Sequence, residues 1–186
     1  MIAAIVLAAG ASRRLGQPKQ LVALAGEALL RRAVRMALEA GCGAVIPVLP
    51  REHDRYLAVL EGLAVSPCIN LQAEEGMGAS IRAGAGALPA EAEGALLMTV
   101  DQVAVDAQLL RRLMAAWRQE PHRPAGCVYE GHVGIPALFP RSRFPGLRAC
   151  KGDQGAKGLL GGALHVPFPR GGEDLDTPED LRRLMR

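Results

Sequence analysis

The sequence contains few of the residues that a nucleic-acid-binding protein needs. Only 3% of its 186 residues are aromatic, so it has no stacking platform of the kind with which a single-strand binder holds bases. Its net charge of +3 is too small to indicate a basic patch for a phosphate backbone. We therefore expect no nucleic acid among its partners.

Cysteine is scarce as well, and its spacing excludes two further kinds of site. The four cysteines are far apart and form no CxxC pair: Cys42, Cys68, Cys127 and Cys150. This spacing indicates neither a zinc knuckle nor a disulfide framework, so we expect reduced thiols. The four histidines show no metal-ligand spacing either.

Long apolar runs are also missing. No apolar stretch reaches the roughly 18 residues of a membrane-spanning helix, and no basic segment precedes the first apolar run, as it would in a signal peptide. We therefore expect a cytoplasmic protein without a membrane partner. A chain of 186 residues is expected to form a single domain, 1–186, which buries about 70% of the surface that the unfolded chain exposes.

One loop near the amino end combines small residues with fixed positive charge. It covers Leu7 to Lys19 (LAAGASRRLGQPK) and follows an apolar run, Ile2 to Val6, that is typical of a buried parallel strand. The small residues let backbone N–H groups approach phosphate oxygens, while the basic side chains offset the charge of a triphosphate. The small residues are Ala8, Ala9 and Gly10, and the cations are Arg13, Arg14 and Lys19.

Two better-known phosphate motifs do not occur in this loop. It contains neither GxxxxGK[ST] nor GxGxxG. The loop alone therefore leaves two interpretations open. It is either a triphosphate-binding loop or an ordinary connection between a strand and a helix with arginines at the surface.

The remaining sequence predicts an α/β fold. Apolar runs of strand length alternate with amphipathic segments of helix length, which is typical of a parallel sheet covered by helices on both faces. The predicted strands are 2–6, 44–49, 66–71 and 94–100, and the predicted helices are 27–39, 52–60, 79–88 and one capped by Asp106. Beyond Pro121, strands interrupted by glycine and proline predict a mixed sheet, which a strand at 164–168 and a final helix capped by Thr177 complete.

Two carboxylates are placed to meet the basic loop. Asp101 follows the strand 94–100, and ligands of open α/β sheets bind outside the carboxyl ends of the strands. A triphosphate arrives as a magnesium complex, and Mg²⁺ prefers one or two carboxylates together with phosphate oxygens and water. For the second carboxylate we choose Asp176 over Asp174. A helix cap or a strand-end turn is the alternative role for Asp101.

The segment LAAGASRRLGQPKQLVALAGEALL resembles the opening of the MobA-like nucleotidyltransferases, and most closely that of the molybdenum cofactor cytidylyltransferases. Further segments are similar to those of the family and occur in the same order. They are NLQAEEGMGASIRAG for base and ribose, VDQV for the metal, GHVGIPALF and KGDQGAKGLL for the pterin side, and the closing DLDTPEDL. The resemblance implies a Rossmann-like three-layer α/β/α nucleotidyltransferase fold with a mostly parallel mixed sheet. One departure is Val103, where the family commonly has proline.

The resemblance also implies roles for individual residues. It assigns catalysis to Arg14, Lys19 and Asp101, and a magnesium ion to Asp101 and Asp176. It assigns nucleotide binding to Leu7, Ala8, Ala9, Gly10, Arg14, Lys19, Asn70, Gly78, Ser80 and Asp101. It assigns the pterin substrate to Gly134, Pro136, Asp153 and Gly155, for which turns and a helix entry are an equally open interpretation.

The implied reaction is attack by the terminal phosphate of molybdopterin on the α-phosphorus of CTP. The products are pyrophosphate and the cytosine dinucleotide form of the cofactor. The nucleophile is already an anion and needs no general base, which fits a sequence without a recognisable nucleophilic triad. The implied partners are CTP and the molybdenum cofactor, with Mg²⁺ as the cofactor of the enzyme.

Three alternatives stay open beside this reading. Guanylyltransferase relatives usually have LAGG where this chain has LAAG, and the additional methyl group narrows the space beside the base, which favours cytosine over guanine. Sugar-phosphate and polyol-phosphate nucleotidyltransferases share the fold and the glycine-rich opening. A non-enzymatic carrier would deliver the cofactor to a molybdenum hydroxylase apoenzyme, but a carrier has no need of these cations and carboxylates.

Overall fold

A seven-stranded mixed sheet lies at the centre of the protein, in a computed structural model that describes residues 1–153 and 155–184. Two further short strands pair with each other in a separate hairpin. The strands are β1 (Ile2–Leu7), β2 (Ala23–Leu24), β3 (Glu27–Ala28), β4 (Ala44–Leu49), β5 (Cys68–Ile69), β6 (Gly94–Thr99), β7 (Ala125–Tyr129), β8 (His132–Pro140) and β9 (Leu164–Pro167).

The order of the strands in the sheet is β5-β4-β1-β6-β8-β7-β9. The first four are parallel, β8 is antiparallel to β6 and β7, and β9 is parallel to β7. The chain adds β4 and β5 on one side of β1 and then returns to add β6 on the other. Ligands of α/β sheets bind in the crevice that opens at such a switch point. The predicted mostly parallel mixed sheet is confirmed.

Helices cover both faces of this sheet. They are α1 (Leu29–Glu39), α2 (Asp54–Leu60), α3 (Met77–Gly86), α4 (Ala107–Gln119), α5 (Phe144–Arg148) and α6 (Pro178–Leu184). Successive residues of a strand point to opposite faces. Ala4 and Val6 of β1 therefore pack in one core with α1 and α4, whereas Ala3 and Ile5 pack in a second core with α3 and α5. The three-layer α/β/α architecture is confirmed.

Helix α3 packs directly against the sheet at a glycine. A Cβ at Gly84 would overlap a side-chain methyl group of Ile5 in β1 and would lie 2.9 Å from one of Val48 in β4. Only a residue without a side chain allows this approach. The contact holds the first turn of α3 at the carboxyl edge of the sheet, where Met77 and Ser80 border a cavity.

The first predicted helix is shorter than its sequence pattern. It was expected at 27–39 and begins at Leu29, because Glu27 and Ala28 pair with β2 in the hairpin. Two residues that the amphipathic pattern assigned to the helix therefore form a strand instead. The hairpin fills the connection between the basic loop and α1.

Two later elements also differ from the sequence pattern at their ends. The strand expected at 66–71 is reduced to β5, which pairs with the last two residues of β4. The helix expected at 79–88 begins earlier, at Met77, directly after Gly76 with a φ of 102°. Position in the sheet and turn geometry decide these ends, and neither is encoded by hydrophobic periodicity.

No helix within residues 1–153 and 155–184 combines the length and the apolar character that a membrane span requires.

Candidate active site

A cavity of about 640 Å³ opens at the carboxyl edge of the sheet, beside β1 and β6. Its walls come from the loop after β1, the first turn of α3 and the end of β6. Of the predicted site residues, the cavity is lined by Leu7, Ala9, Gly10, Lys19, Ser80, Asp101 and Asp153. A smaller cavity of about 190 Å³ contacts Arg14, Lys19 and Asp176. The basic loop and Asp101 therefore meet, as the position of the strand ends predicts.

Four charged side chains form one cluster at the junction of these cavities. Lys19 Nζ lies 2.5 Å from Asp101 Oδ2 and 2.8 Å from Asp176 Oδ1. Arg14 lies 2.6 Å from the other oxygen of Asp176. Burial lowers the pKa of Lys19, but the two carboxylates outweigh it and raise that pKa above its usual 10.5. The lysine is therefore a permanent cation at this site.

The backbone of the basic loop is held by two polar residues that the sequence reasoning did not identify. The amide of Lys19 donates to Ser12 Oγ at 3.1 Å, and Gln20 Nε2 donates to the carbonyl of Gly10 at 2.7 Å. Gln20 is 1% exposed, and its Oε1 accepts from Ser12 Oγ at 3.3 Å. These contacts fix the start of the Lys19 side chain. A polar residue in a loop carries no sequence signal that it will be buried.

Asp176 reaches the cluster because the segment before α6 is attached to the end of β6. The amide of Leu175 donates to the carbonyl of Asp101 at 3.0 Å, and Gln102 forms an isolated antiparallel bridge with Asp174. The next residues begin α6 with a capping box, as the sequence predicts. Its contacts join Thr177 N to Asp180 Oδ2 (2.9 Å) and Asp180 N to Thr177 Oγ1 (3.2 Å).

The side chain of Gln102 connects three further segments beneath the cluster. Its Nε2 lies 3.0 Å from the carbonyl of Ile135, 3.1 Å from that of Gly171 and 3.4 Å from the hydroxyl of Tyr129. Gln102 is 5% exposed; its contact with Gly171 is buried, and the other two are partly buried. They attach β7, β8 and the segment before α6 to the residue next to Asp101.

Asp174 differs from Asp176 in its surroundings. Its Oδ1 is buried without a hydrogen-bond partner among the described residues. Burial, followed by the charges of Asp101 and Asp176, raises the pKa of Asp174 to about 6. Asp176 is the one that contacts both Lys19 and Arg14. Asp176, which the sequence analysis chose as the second metal ligand, therefore lies in the charge cluster.

The donor set of the cluster suits a magnesium-type cation. One oxygen of Asp101 and one of Asp176 contact the same Lys19 nitrogen, so both carboxylates face a common point. Within residues 1–153 and 155–184, no group of three or more His, Cys, Asp or Glu side chains is arranged to hold a metal. Mg²⁺ commonly binds one or two carboxylates and completes its shell with phosphates and water, so two carboxylates fit it.

Three predicted nucleotide-binding residues lie behind the wall of the cavity. The amide of Ala8 donates to the carbonyl of Val48 at 2.9 Å, so this N–H is already used by the sheet. Asn70 is 4% exposed, and its Nδ2 donates to Ser80 Oγ at 3.0 Å. The amide of Gly78 donates to the carbonyl of Gly152 at 2.7 Å. Asn70 therefore supports Ser80, and Gly78 supports the segment that carries Asp153.

The four residues predicted to bind the pterin lie in two separate places. Asp153 borders the large cavity, where its carboxylate leaves no room for a side chain at Gly76. Gly155 lies close to the sulfur of Met77 in α3. Gly134 and Pro136 lie on β8 away from that lining, and a Cβ at Gly134 would meet the ring of Tyr129. Their predicted role stays a prediction.

One wall of the cavity was given no role by the sequence pattern. The loop after β4 contributes Pro50, Arg51 and Glu52 to this wall, and α2 contributes Tyr56. Their position in the sequence could have predicted this, because they follow β4, which lies next to β1 and whose carboxyl end opens onto the same crevice.

The cysteines lie outside this site, and all four are free thiols. Burial raises the pKa of Cys42 and of Cys127 to about 12. Thiols of such high pKa are poor nucleophiles near neutral pH. This agrees with a reaction that uses no cysteine.

Comparison with protein families gives a match over most of the chain. Residues 4–166 match the family model described as the MobA-like NTP transferase domain.

Similar known proteins cover nearly the whole chain. It is 30% identical to the purine catabolism protein PucB of Bacillus subtilis (strain 168), over 98% of this chain and 95% of that protein. It is 28% identical to the nicotine blue oxidoreductase of Paenarthrobacter nicotinovorans, over 99% of this chain and 96% of that protein. It is 32% identical to a molybdenum cofactor guanylyltransferase of Rhodobacter capsulatus, over 98% and 94%.

The fold is also similar to a solved structure from Mycobacterium tuberculosis H37Rv. The crystal structure of Rv0371c has a TM-score of 0.85 and 30% identity, and covers 99% of this chain and 97% of that one. A complex of Rv0371c with manganese has a TM-score of 0.78 and 28% identity, with the same coverage. A divalent metal is therefore bound by that similar protein.

Proposed function

Since this chain belongs to the family of MobA-like NTP transferase domains, we propose that it transfers CMP from CTP to the molybdenum cofactor. An oxygen of the terminal phosphate of molybdopterin attacks the α-phosphorus of CTP. The bond between the α-phosphorus and the oxygen that bridges it to the β-phosphorus breaks, and pyrophosphate leaves. We further propose that residues 1–186 act as one domain.

The observation that carries the proposal is the charge cluster at the cavity. Lys19 and Arg14 supply two cations, and Asp101 and Asp176 supply two carboxylates. Lys19 contacts both carboxylates and Arg14 contacts Asp176, at 2.5, 2.8 and 2.6 Å respectively. A triphosphate requires cations for its oxygens and carboxylates for its metal. Because the nucleophile is an anion, alignment and charge neutralisation suffice for the transfer.

Mg²⁺ is proposed as the metal, with Asp101 and Asp176 as its protein ligands. When bound, it would neutralise charge on the phosphates of the nucleotide. Lys19 and Arg14 would hold the departing pyrophosphate, since both cations belong to the loop that borders the smaller cavity. Gly10 and Ser80, which line the large cavity, would contact the nucleotide.

Cytosine is proposed as the base because of the side chain of Ala9. This residue lines the large cavity at the position where guanylyltransferase relatives usually have glycine. Its methyl group leaves less room beside the base, and the smaller base is favoured. The guanylyltransferase among the similar proteins makes GTP the second candidate.

The proposal is tested by pyrophosphate release from purified protein with Mg²⁺ and molybdopterin, with CTP, GTP, ATP and UTP supplied separately. We expect release with CTP. Release with GTP alone would overturn the choice of base. Release that requires a sugar phosphate or a polyol phosphate in place of the pterin would overturn the acceptor. No release with any combination, while the cofactor still binds, would favour a carrier that passes the cofactor to a molybdenum hydroxylase apoenzyme.

A further inference from the structure

Lys19 lies between the two carboxylates that are proposed to hold the metal. We propose that this lysine keeps divalent metal out of the site while no nucleotide is bound, and that it leaves the carboxylates when triphosphate oxygens become available. The inference rests on the proposed function, because it concerns the same metal site.

The contacts of Lys19 carry the first step. Its nitrogen lies 2.5 Å from Asp101 and 2.8 Å from Asp176, so it forms a charge-assisted hydrogen bond with each carboxylate. The side chain is 15% exposed, and those of the carboxylates are 18% and 27% exposed. A metal that took these oxygens would have to lie beside the ammonium group, and like charges repel strongly where water is largely excluded.

Arg14 also competes with a metal ion for Asp176. It contacts the second oxygen of Asp176 at 2.6 Å, so both oxygens of that carboxylate are engaged. Arg14 is itself 72% exposed, and its own contribution is therefore weakened by solvent. The largely buried lysine therefore competes with the metal more strongly than Arg14 does.

The same two cations are placed to move together when a nucleotide enters. Both belong to the loop 8–19, which borders the two cavities. Lysine carries its charge on a flexible four-carbon chain, so its nitrogen can turn from the carboxylates to phosphate oxygens while the backbone stays fixed. The carboxylates would then be released for the metal. Metal and nucleotide would bind cooperatively, each raising the affinity for the other.

The experiment measures Mn²⁺ binding to the full chain without nucleotide, from the electron paramagnetic resonance signal of free Mn²⁺. Wild type is compared with Lys19→Met, which removes the charge and keeps most of the side chain. Arg13→Met is the matched control. It removes one positive charge from the same loop, and Arg13 borders both cavities without contacting a carboxylate in the described residues.

We expect Lys19→Met to bind Mn²⁺ at least about tenfold more tightly than wild type, and Arg13→Met to stay within about threefold, as expected of a more distant, screened charge. Adding Asp101→Asn to Lys19→Met should abolish the gain, because it removes one proposed ligand. A Lys19→Met affinity no higher than that of Arg13→Met would overturn the inference.

Thermal unfolding supplies a second measurement. Without Lys19 the two carboxylates repel each other, so Lys19→Met should melt at a lower temperature, and Mn²⁺ should raise its Tm more than it raises that of wild type. If Lys19→Met does not fold, Lys19→Gln is measured in the same way. An equal effect of Mn²⁺ on wild type and on the folded variant contradicts the inference.

The outcomes separate this inference from the proposed function. Unchanged Mn²⁺ affinity in a protein whose wild type turns over CTP refutes the inference and leaves the function standing. Tighter Mn²⁺ binding in a protein that turns over no nucleotide supports the inference and refutes the function.

Discussion

At the scale of single residues, two side chains are central to the proposed chemistry of the cavity. Asp101 follows β6 and contacts Lys19, as Asp176 does, and Ala9 lines the same large cavity as Asp101. Asp101 concerns the charge that the proposed reaction needs, and Ala9 concerns the size of the base that is proposed to bind. Each leads to a substitution whose effect is specific to its role.

Substitution of Asp101 by asparagine is expected to lower kcat for CTP by at least about 100-fold, because removal of one preorganised charged group has effects of this size. The control is Asp106→Asn, the same change at the N-cap of α4, where Asp106 Oδ1 accepts from the amide of Leu109 at 2.7 Å. Asparagine caps helices as well as aspartate does, so its turnover should be unchanged. Turnover of Asp101→Asn within a few-fold of wild type would exclude Asp101 as a metal ligand.

Substitution of Ala9 by glycine is expected to raise the ratio of kcat/KM for GTP to that for CTP by about tenfold or more, since one methyl group in a pocket changes selectivity by this amount. The ratio is the appropriate readout, because a general loss of stability lowers both terms equally. An unchanged ratio would mean that the base is selected elsewhere in the cavity.

At the scale of secondary structure, contacts between distant segments position the site. Helix α3 supports the segment of Asp153 through Gly78, and Gln102 attaches β7 and β8 to the end of β6. Local sequence gives no indication of either contact. Each contact can be tested by a substitution that is compared with the same type of change at a control residue, in α3 for Gly78 and in α4 for Gln102.

Helix α3 offers two glycines for such a comparison. A Cβ at Gly78 would lie 2.6 Å from the backbone carbonyl carbon of Lys151, whereas a Cβ at Gly86 has no neighbour within 4 Å. We expect Gly78→Ala to lower the free energy of unfolding by about 1–3 kcal/mol through overpacking. Gly86→Ala should leave it unchanged or raise it by up to about 1 kcal/mol, through helix propensity. Urea unfolding measures both, and equal effects would contradict the close packing at Gly78.

Replacement of Gln102 by leucine removes the donor to the buried carbonyl of Gly171 and to the partly buried carbonyl of Ile135. We expect the free energy of unfolding to fall by about 1–3 kcal/mol, which is the cost of unsatisfied buried polar groups. Gln108→Leu, on the exposed side of α4, should change it by no more than about 0.5 kcal/mol. If both variants unfold at the same urea concentration as wild type, Gln102 does not join the three segments.

At the scale of the whole molecule, the cavity exists only because the sheet joins distant parts of the chain. Lys19 lies 82 residues from Asp101 and 157 residues from Asp176 in the sequence. A ligand that contacts all three resists unfolding of the entire domain. Binding should therefore be visible in global stability.

Addition of Mg²⁺ and CTP together, at about 100 times the dissociation constant, is expected to stabilise the folded state by about 2.7 kcal/mol. For a chain of this size that corresponds to a rise in Tm of roughly 5–10 °C. Mg²⁺ alone should give a much smaller rise, because Lys19 occupies the carboxylates. Differential scanning calorimetry measures the effect, and an equal rise with Mg²⁺ alone would contradict cooperative binding.

Much of this architecture could be predicted from the sequence. Buried strands such as β1, β4 and β6 have continuous apolar runs, because both of their faces are covered. The Asp106 and Thr177 caps follow from local hydrogen bonds. The family resemblance, carried by motifs in order along the chain, is confirmed by the match over residues 4–166. The meeting of the basic loop with Asp101 followed from the rule for strand ends.

Other features were decided by the tertiary structure alone. The start of α1 at Leu29 depends on the pairing of the preceding residues with β2, and the burial of Gln20 and Gln102 depends on carbonyl groups from other segments. The same holds for the position of Lys19 between two carboxylates. A sequence encodes which segments are apolar and which turns are permitted, whereas contacts between charges far apart in the chain arise only when the sheet has assembled around them.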